Sequence, residues 1–343
     1  MKKWMTVMAA GLMSAALLAG CGSNETSTQA AKTGNQDTTA AGKAESGFPS
    51  QNINGIVQWG EGGGTDSLMR PLATLAEKSL GVSIVVQNKT GGSGSIATQY
   101  VYDNEADGYH LLMGAENPPL YEALGILDLT YDDFDCVMLI GDETTGVAVS
   151  KNSPYQSLTD IVNDALAGKK ITLATTGTGG LPWEVGALIK SVTGAEFTQV
   201  QYENDAAAKV AVLGGECDFT ICKIQSSIEE YTSGDLKMLC MLATEPVALM
   251  PDVPLVTAEY PDFEQYLPWG PFYGIFVKKG TDSEIQKTLS QAFKEAFDTE
   301  EYQEILSQFY INPLGLSGEE AAAYLTEWKT NTIDALTKAG AVE

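Results

Sequence analysis

An α/β fold with mostly parallel sheets follows from three features of the chain after Gln51. Near-continuous apolar runs such as Ile84-Val85-Val86 recur, as in strands covered on both faces. Amphipathic helical stretches separate these runs, and such alternation favours layered sheets. Twice, a strand leads into a glycine-rich loop that opens a helix.

Strands are expected at 53–59, 82–87, 110–113, 136–140 and 147–150, then at 170–175, 197–201, 219–223, 236–242 and 274–277. After the first strand, Leu68, Leu72, Leu75 and Ala76 mark a helix. Pro71 is late for a first turn, so that helix is expected to start beyond Asp66 or to kink. Val185, Leu188, Ile189 and Val192 recur at helical spacing, with Pro182 suited to the first turn. Ile285, Leu289, Ala292, Phe293, Ala296 and Phe297 extend the same period over four turns. A second loop–helix unit begins after Ser150, and Pro268-Trp269-Gly270-Pro271 reads as a return crossing. Two lobes are therefore expected, 48–150 with 269–343, and 151–268 between them.

The first residues carry a different message. Met1-Lys2-Lys3 precedes an uncharged apolar run too short to span a bilayer comfortably, closed by Leu18-Ala19-Gly20-Cys21. This resembles a lipoprotein signal: residues 1–20 are removed and Cys21 carries lipid at the extracytoplasmic face of the membrane. Residues 21–47 have only alanine as an apolar side chain, too little to offset ordering entropy, and read as a flexible tether.

Asp and Glu total 45 against 20 Lys and Arg, a net charge of −25, which excludes a basic face for nucleic acid. Arg70 is the only arginine, four residues after Asp66, where a helical salt bridge is expected. Cys136, Cys217, Cys222 and Cys240 read as buried apolar positions, although an extracytoplasmic location also permits a disulfide. The chain has no Cys-x-x-Cys pair, and its one histidine, His110, reads as structural, so neither a metal nor a cofactor is expected. Nucleotide-binding, phosphate-loop and nucleophile-elbow motifs are also missing.

The binding candidates are the two loops. Trp59 ends a strand before Gly60-Glu61-Gly62-Gly63-Gly64-Thr65-Asp66, and Thr175 ends another before Thr176-Gly177-Thr178-Gly179-Gly180. Glycine allows close backbone approach, and the helix behind each loop presents unpaired N–H groups to an anion. The ligand positions expected are Trp59, Gly62, Gly63, Gly64, Thr65, Asp66, Thr175, Thr176, Gly177, Gly179, Gly180 and Asp205. The Thr65 and Thr175 hydroxyls are expected to assist the backbone. Trp183 and Phe272 read more readily as core than as ligand platforms.

Five segments in order carry a family resemblance. They are Trp59 to Asp66, Val85 to Gly94, Asp107-Gly108-Tyr109 with Leu111 to Gly114, Leu213 to Asp218, and Met250-Pro251-Asp252-Val253-Pro254. Together they are similar to the extracytoplasmic solute receptors of tripartite tricarboxylate transporters, the Bug-type receptors. That resemblance implies a two-lobed clamshell of the type II periplasmic-binding kind. It also implies a monomeric, non-enzymatic receptor that takes a small organic carboxylate and delivers it to integral-membrane permease subunits. Gly60 stands where the family has proline, Trp183 where histidine is common, and Tyr202-Glu203-Asn204 where Tyr-Lys-Gly is usual. Acidic Glu61, Glu203 and Asp205 fit a monocarboxylate, an amino acid or an aromatic acid better than a tricarboxylate. The alternatives are a receptor of an ATP-driven importer, and, with less support, an extracellular hydrolase.

Overall fold

The computed structural model describes residues 47–342 apart from Glu116. The expected signal, Cys21 and the tether as far as residue 46 lie outside the described residues.

Three strand–helix units come first. β1 (Ile53–Val57) leads to α1 (Gly64–Leu80), β2 (Ile84–Asn88) to α2 (Ser95–Asp103), and β3 (His110–Ala115) to the short α3 (Pro118–Ala123). β4 (Phe134–Glu143) is separated only by Thr144 from β5 (Thr145–Ser150), which precedes α4 (Leu158–Leu166). β6 (Thr172–Thr175), α5 (Leu181–Thr193), β7 (Thr198–Gln201) and α6 (Asp205–Leu213) follow. β8 (Thr220–Lys223) runs directly into α7 (Ile224–Ser233), and β9 (Leu236–Met241) precedes a long irregular return. β10 (Phe272–Lys278), α8 (Ser283–Phe297), α9 (Glu300–Gln308), β11 (Ile311–Leu316) and α10 (Gly318–Lys338) complete the order.

All ten expected strands are present, within a few residues of their expected ends, and β11 is an addition. A six-stranded sheet has the order β11-β4-β10-β3-β1-β2, a three-stranded sheet the order β8-β5-β9, and β6 pairs with β7. A bridge from Leu173 to Phe219 ties β6 to the start of β8. The expectation of mostly parallel sheets needs correction. Among the described residues, β1–β2, β1–β3 and β6–β7 are parallel, and the other five pairings are antiparallel. Two of the five come from β10, which returns from the smaller sheet and inserts between β3 and β4 antiparallel to both; β11 against β4, and β5 against β8 and β9, supply the rest.

Apolar periodicity places the helices. The buried residues of α8, Leu289, Ala292, Phe293, Ala296 and Phe297, pack with Leu68, Met69 and Leu72 of α1 on one face of the larger sheet. Burying one such side chain as large as Phe293 stabilises by about 1.5–3 kcal/mol. The opposite face holds Ile56, Leu112, Phe272 and Phe276, and Tyr131 stacks on Phe276 at 4.2 Å between centroids. Around the smaller sheet, Val147, Leu173, Leu188, Phe219 and Phe263 form a separate core. α1 begins at Gly64 and runs through Pro71, contrary to the expected later start. The helical partner that proline gives up is the carbonyl of Ser67, a residue that keeps part of its surface in solvent.

Two segments connect the sheets, and they lie side by side. Glu143 N–H donates to the Pro271 carbonyl at 2.9 Å, and Thr145 Oγ1 to the Trp269 carbonyl at 2.7 Å. The expected boundary followed Ser150, whereas β5 pairs with β8 and β9 and so lies in the smaller sheet. The crossing therefore falls at Thr144. The end of α10 also departs from its expected place with the larger sheet. Ala335 joins the smaller sheet's core, and Leu336 packs with Trp183 and Ala187 of α5.

Among the described residues, Cys136, Cys217, Cys222 and Cys240 are free. Burial pushes the Cys222 thiol up to about 12 and raises those of Cys136 and Cys240 further. His110 lies on β3, with Nε2 3.4 Å from Asn54 Nδ2 and its ring edge-on to Tyr100.

Candidate functional site

A cleft of about 760 Å³ lies where the two sheets meet. Its walls are the N-terminal ends of four helices: Gly63–Thr65 of α1, Gly179–Leu181 of α5, residues 204–206 of α6, and Lys223 with Ser226 of α7. The first N–H groups of a helix have no intrahelical acceptor, and each helix start carries roughly half a positive charge. These helix starts bring backbone donors to the cleft of a chain whose net charge is −25.

The α1 loop is held open from behind. Gly62 adopts φ +74°, and Gly63 N–H closes a turn on the Gly60 carbonyl at 3.1 Å. The Asp66 carboxylate accepts from Gly62 N–H at 3.0 Å, from Arg70 at 2.6 Å and from Asn88 Nδ2 at 2.9 Å. Asn88 Nδ2 also donates to the Trp59 carbonyl at 2.8 Å, which binds the end of the loop to β2. Burial disfavours the ionised Asp66, but Arg70, Gly62 and Asn88 together outweigh it and hold the carboxyl below its usual range. With its carboxylate committed to this bracing, Asp66 does not line the cleft, and Gly63 supplies no side-chain cap to α1. The N–H groups at the start of α1 therefore receive no side-chain acceptor from the N-cap residue.

The second loop uses two left-handed glycines, Gly177 at φ +102° and Gly179 at φ +77°. A Cβ on Gly180 would meet Thr176 Oγ1 at 2.2 Å, so the threonine hydroxyl lies close against this glycine. Pro182 occupies the first turn of α5, where its missing N–H costs nothing. Asn117, at the start of α3, reaches the loop through Nδ2, 3.5 Å from the Gly179 carbonyl. Its Oδ1 is buried and accepts no hydrogen bond among the described residues. Thr175 is buried at the end of β6, where its carbonyl accepts from Tyr202 N–H at 2.8 Å.

The α6 and α7 wall carries the charged side chains. Glu203 and Asp205 are exposed, and Asn204 caps α6 by accepting from Ala207 N–H at 2.9 Å. Lys209 and Lys223 are better covered, with side chains 15% and 25% exposed. Lys209 pairs with Glu230 at 2.5 Å and donates to the Ser226 carbonyl. Lys223 lies 3.4 Å from the buried carboxylate of Glu143, which also accepts from the Tyr273 hydroxyl.

Of the positions expected from sequence, Trp59, Gly63, Gly64, Thr65, Thr176, Gly179, Gly180 and Asp205 line the cleft. Gly62, Asp66, Thr175 and Gly177 do not; they shape the loops from behind. The Thr175 hydroxyl accordingly gives way to Thr176 as the threonine at the cleft. Trp183 lies against Ala187 and Leu336, and Phe272 is fully buried. Sequence reasoning missed Asn117, Lys209, Lys223 and Tyr273. Lys223 ends β8 and Tyr273 is the second residue of β10, positions that mark many cleft residues but do not single these out.

Comparison with known proteins shows which fold and family this chain shares. Protein BugT of Bordetella pertussis is 26% identical over 286 residues, covering 82% of this chain and 86% of that protein. A UPF0065 protein of Cupriavidus necator is 26% identical over 284 residues, covering 82% of this chain and 85% of its own. Among solved structures, the periplasmic binding protein BugD superimposes with a TM-score of 0.72 at 23% identity, over 86% of this chain and 99% of that one. R. palustris Rpa4515, solved with adipate, gives 0.72 at 24% identity over 85% and 98%. MatC of Rhodopseudomonas palustris, solved with malate, gives 0.68 at 21% identity over 85% and 98%. The α/β periplasmic-binding fold is therefore shared. Residues 68–339 match the profile described as the tripartite tricarboxylate transporter family receptor, and the chain belongs to that family of extracytoplasmic solute-binding proteins, which are receptors and not enzymes.

Proposed function

We propose that this receptor binds a small organic carboxylate in the cleft between its two sheets and delivers it to the membrane subunits of an ion-coupled permease. The observation that carries this reading is the convergence of four helix starts on one cleft, with the first turn of α1 left uncapped. Adipate and malate in the related structures support the same ligand class. Gly64 and Thr65 N–H groups, with Leu181 N–H opposite, are the donors for the carboxylate, each charge-assisted bond worth about 1.5–3 kcal/mol. The two sheets belong to two lobes that close by a hinge at Thr144 and residues 269–271, where two segments cross, with α10 packed against both lobes. Mass spectrometry of the small molecules released from the purified protein tests the reading. A stoichiometric carboxylate is expected, and a sugar or amine in its place would overturn it.

The anchor is part of the same proposal. Cys21 carries the lipid and residues 21–47 tether the receptor to the outer face of the membrane, a reading supported by Leu18-Ala19-Gly20-Cys21. Cys21→Ala is expected to release the receptor from membranes or leave it unprocessed. A mature, membrane-bound variant on fractionation would contradict the lipid anchor.

A further inference from the structure

Four consecutive residues, Gly91, Gly92, Ser93 and Gly94, have positive φ, and of these only Ser93, at +52°, carries a side chain. Glycine adopts such a backbone without steric cost, whereas serine is uncommon there. A turn built on three glycines thus holds a hydroxyl where a fourth glycine would fold more easily. Ser93 is half-buried and lines the cleft.

The turn is held in place from behind. The Tyr121 hydroxyl of α3 donates to the Ser93 carbonyl at 2.8 Å and accepts from Gln58 Nε2 at 3.1 Å. Gln58 Nε2 also donates to Thr98 Oγ1 of α2 at 3.0 Å. A Cβ on Gly94 would lie 2.8 Å from Gln58 Nε2 and 2.9 Å from the Tyr121 hydroxyl, so the turn sits on this network. Gln58 directly follows β1 and precedes Trp59, which places the turn next to the loop that opens α1. The network fixes the Ser93 backbone and leaves its hydroxyl out, and that hydroxyl has no hydrogen-bond partner among the described residues.

Asn117 stands four residues before Tyr121, at the start of the same helix, and lines the same cleft. It is 3% exposed, and its Oδ1 accepts no hydrogen bond among the described residues. Buried acceptors are nearly always paired, so this one calls for a donor from outside the chain.

We propose that Ser93 is a specificity-determining residue and that, with Asn117 on the same wall, it takes a hydroxyl group carried by the carboxylate ligand. A ligand hydroxyl can accept from the Ser93 O–H and donate to Asn117 Oδ1. A methylene does neither, and an ammonium only donates. The receptor therefore prefers a hydroxy acid to the deoxy acid of the same chain length. This rests on the carboxylate reading above and adds to it a residue that reads the body of the ligand.

Calorimetry with two matched pairs, malate against succinate and 2-hydroxybutyrate against butyrate, tests the assignment. Wild type is expected to favour the hydroxy acid of at least one pair by about threefold to tenfold, the scale of one uncharged hydrogen bond. Ser93→Gly should remove most of that preference while weakening the deoxy acid by less than about twofold. The same variant should melt no lower than wild type, because glycine suits the left-handed backbone. Ser93→Ala, which keeps the Cβ, should lose the preference as well, and Asn117→Ala should narrow it. Equal affinity for hydroxy and deoxy acids in wild type, or a preference that survives both Ser93 variants, would overturn the assignment alone. So would equal weakening of both acids in the folded variants, since that marks a role in shaping the turn. Binding of none of the four acids would overturn this inference and the carboxylate reading together.

Discussion

Asp66→Ala should lower stability by about 2–4 kcal/mol and abolish ligand binding, although Asp66 does not line the cleft. The carboxylate is the common acceptor for Gly62 N–H, Arg70 and Asn88, and its loss leaves the Gly62 amide and the Arg70 guanidinium without it and Asn88 Nδ2 with the Trp59 carbonyl alone. Arg70, whose side chain is 40% exposed, can turn to solvent, which keeps the cost below that of a fully buried pair. The loop it braces is the one that presents Gly63, Gly64 and Thr65. The pH dependence follows from the depressed folded-state value of Asp66. Its stabilising contribution is fully present above the unfolded-chain value of about 3.9 and is lost as pH falls through the lower folded value. Chemical denaturation should therefore show the gap between wild type and variant narrowing as the solution is acidified below about pH 4. A gap that is constant with pH, or a variant that still binds ligand, would contradict the bracing role.

The second large effect is expected at the crossing between the sheets. Gly270→Ala should destabilise by about 3 kcal/mol or more, well beyond an ordinary surface glycine substitution. A Cβ there would lie 1.9 Å from the Glu143 carbonyl oxygen and 3.4 Å from Thr145 Cγ2. Backbone, not a flexible side chain, is in the way, so relief requires the two crossing segments to part. Parting them strains the Glu143–Pro271 and Thr145–Trp269 hydrogen bonds and displaces Glu143 from Lys223. Thermal unfolding measures the loss. A variant as stable as wild type would show that the crossings are not as tightly apposed as the geometry requires.

Much of this molecule could be read from local pattern. Runs such as Ile84-Val85-Val86 and the helical spacing from Ile285 to Phe297 report burial directly, so the strands and α8 were legible. The two glycine loops were legible for the same reason, because a strand end, a glycine run and a helix start are contiguous in sequence. What stayed hidden depends on contacts between distant segments. The direction of β10 is set by where the chain returns, not by its own residues, so the antiparallel character of the larger sheet was missed. β5 has the composition of a strand for either sheet, and only its pairing with β8 and β9 assigns it. Asp66 and Thr175 were expected at the ligand but lie outside the cleft lining; for Asp66 the side-chain direction is set by a neighbour distant in sequence, Asn88. Lys209 and Lys223 resemble any of the chain's other lysines until Glu230 and Glu143 are brought beside them.

The claim on which everything else depends is that the cleft recognises an anion through helix-start N–H groups. Titration calorimetry of the wild-type receptor with short-chain carboxylates and their matching amides tests it most directly. The amides keep the size and shape of the acids and remove only the charge. Saturable one-to-one binding of at least one carboxylate is expected, with its amide weaker by about tenfold or more per charge-assisted bond lost. An amide that binds as tightly as its acid would contradict the account.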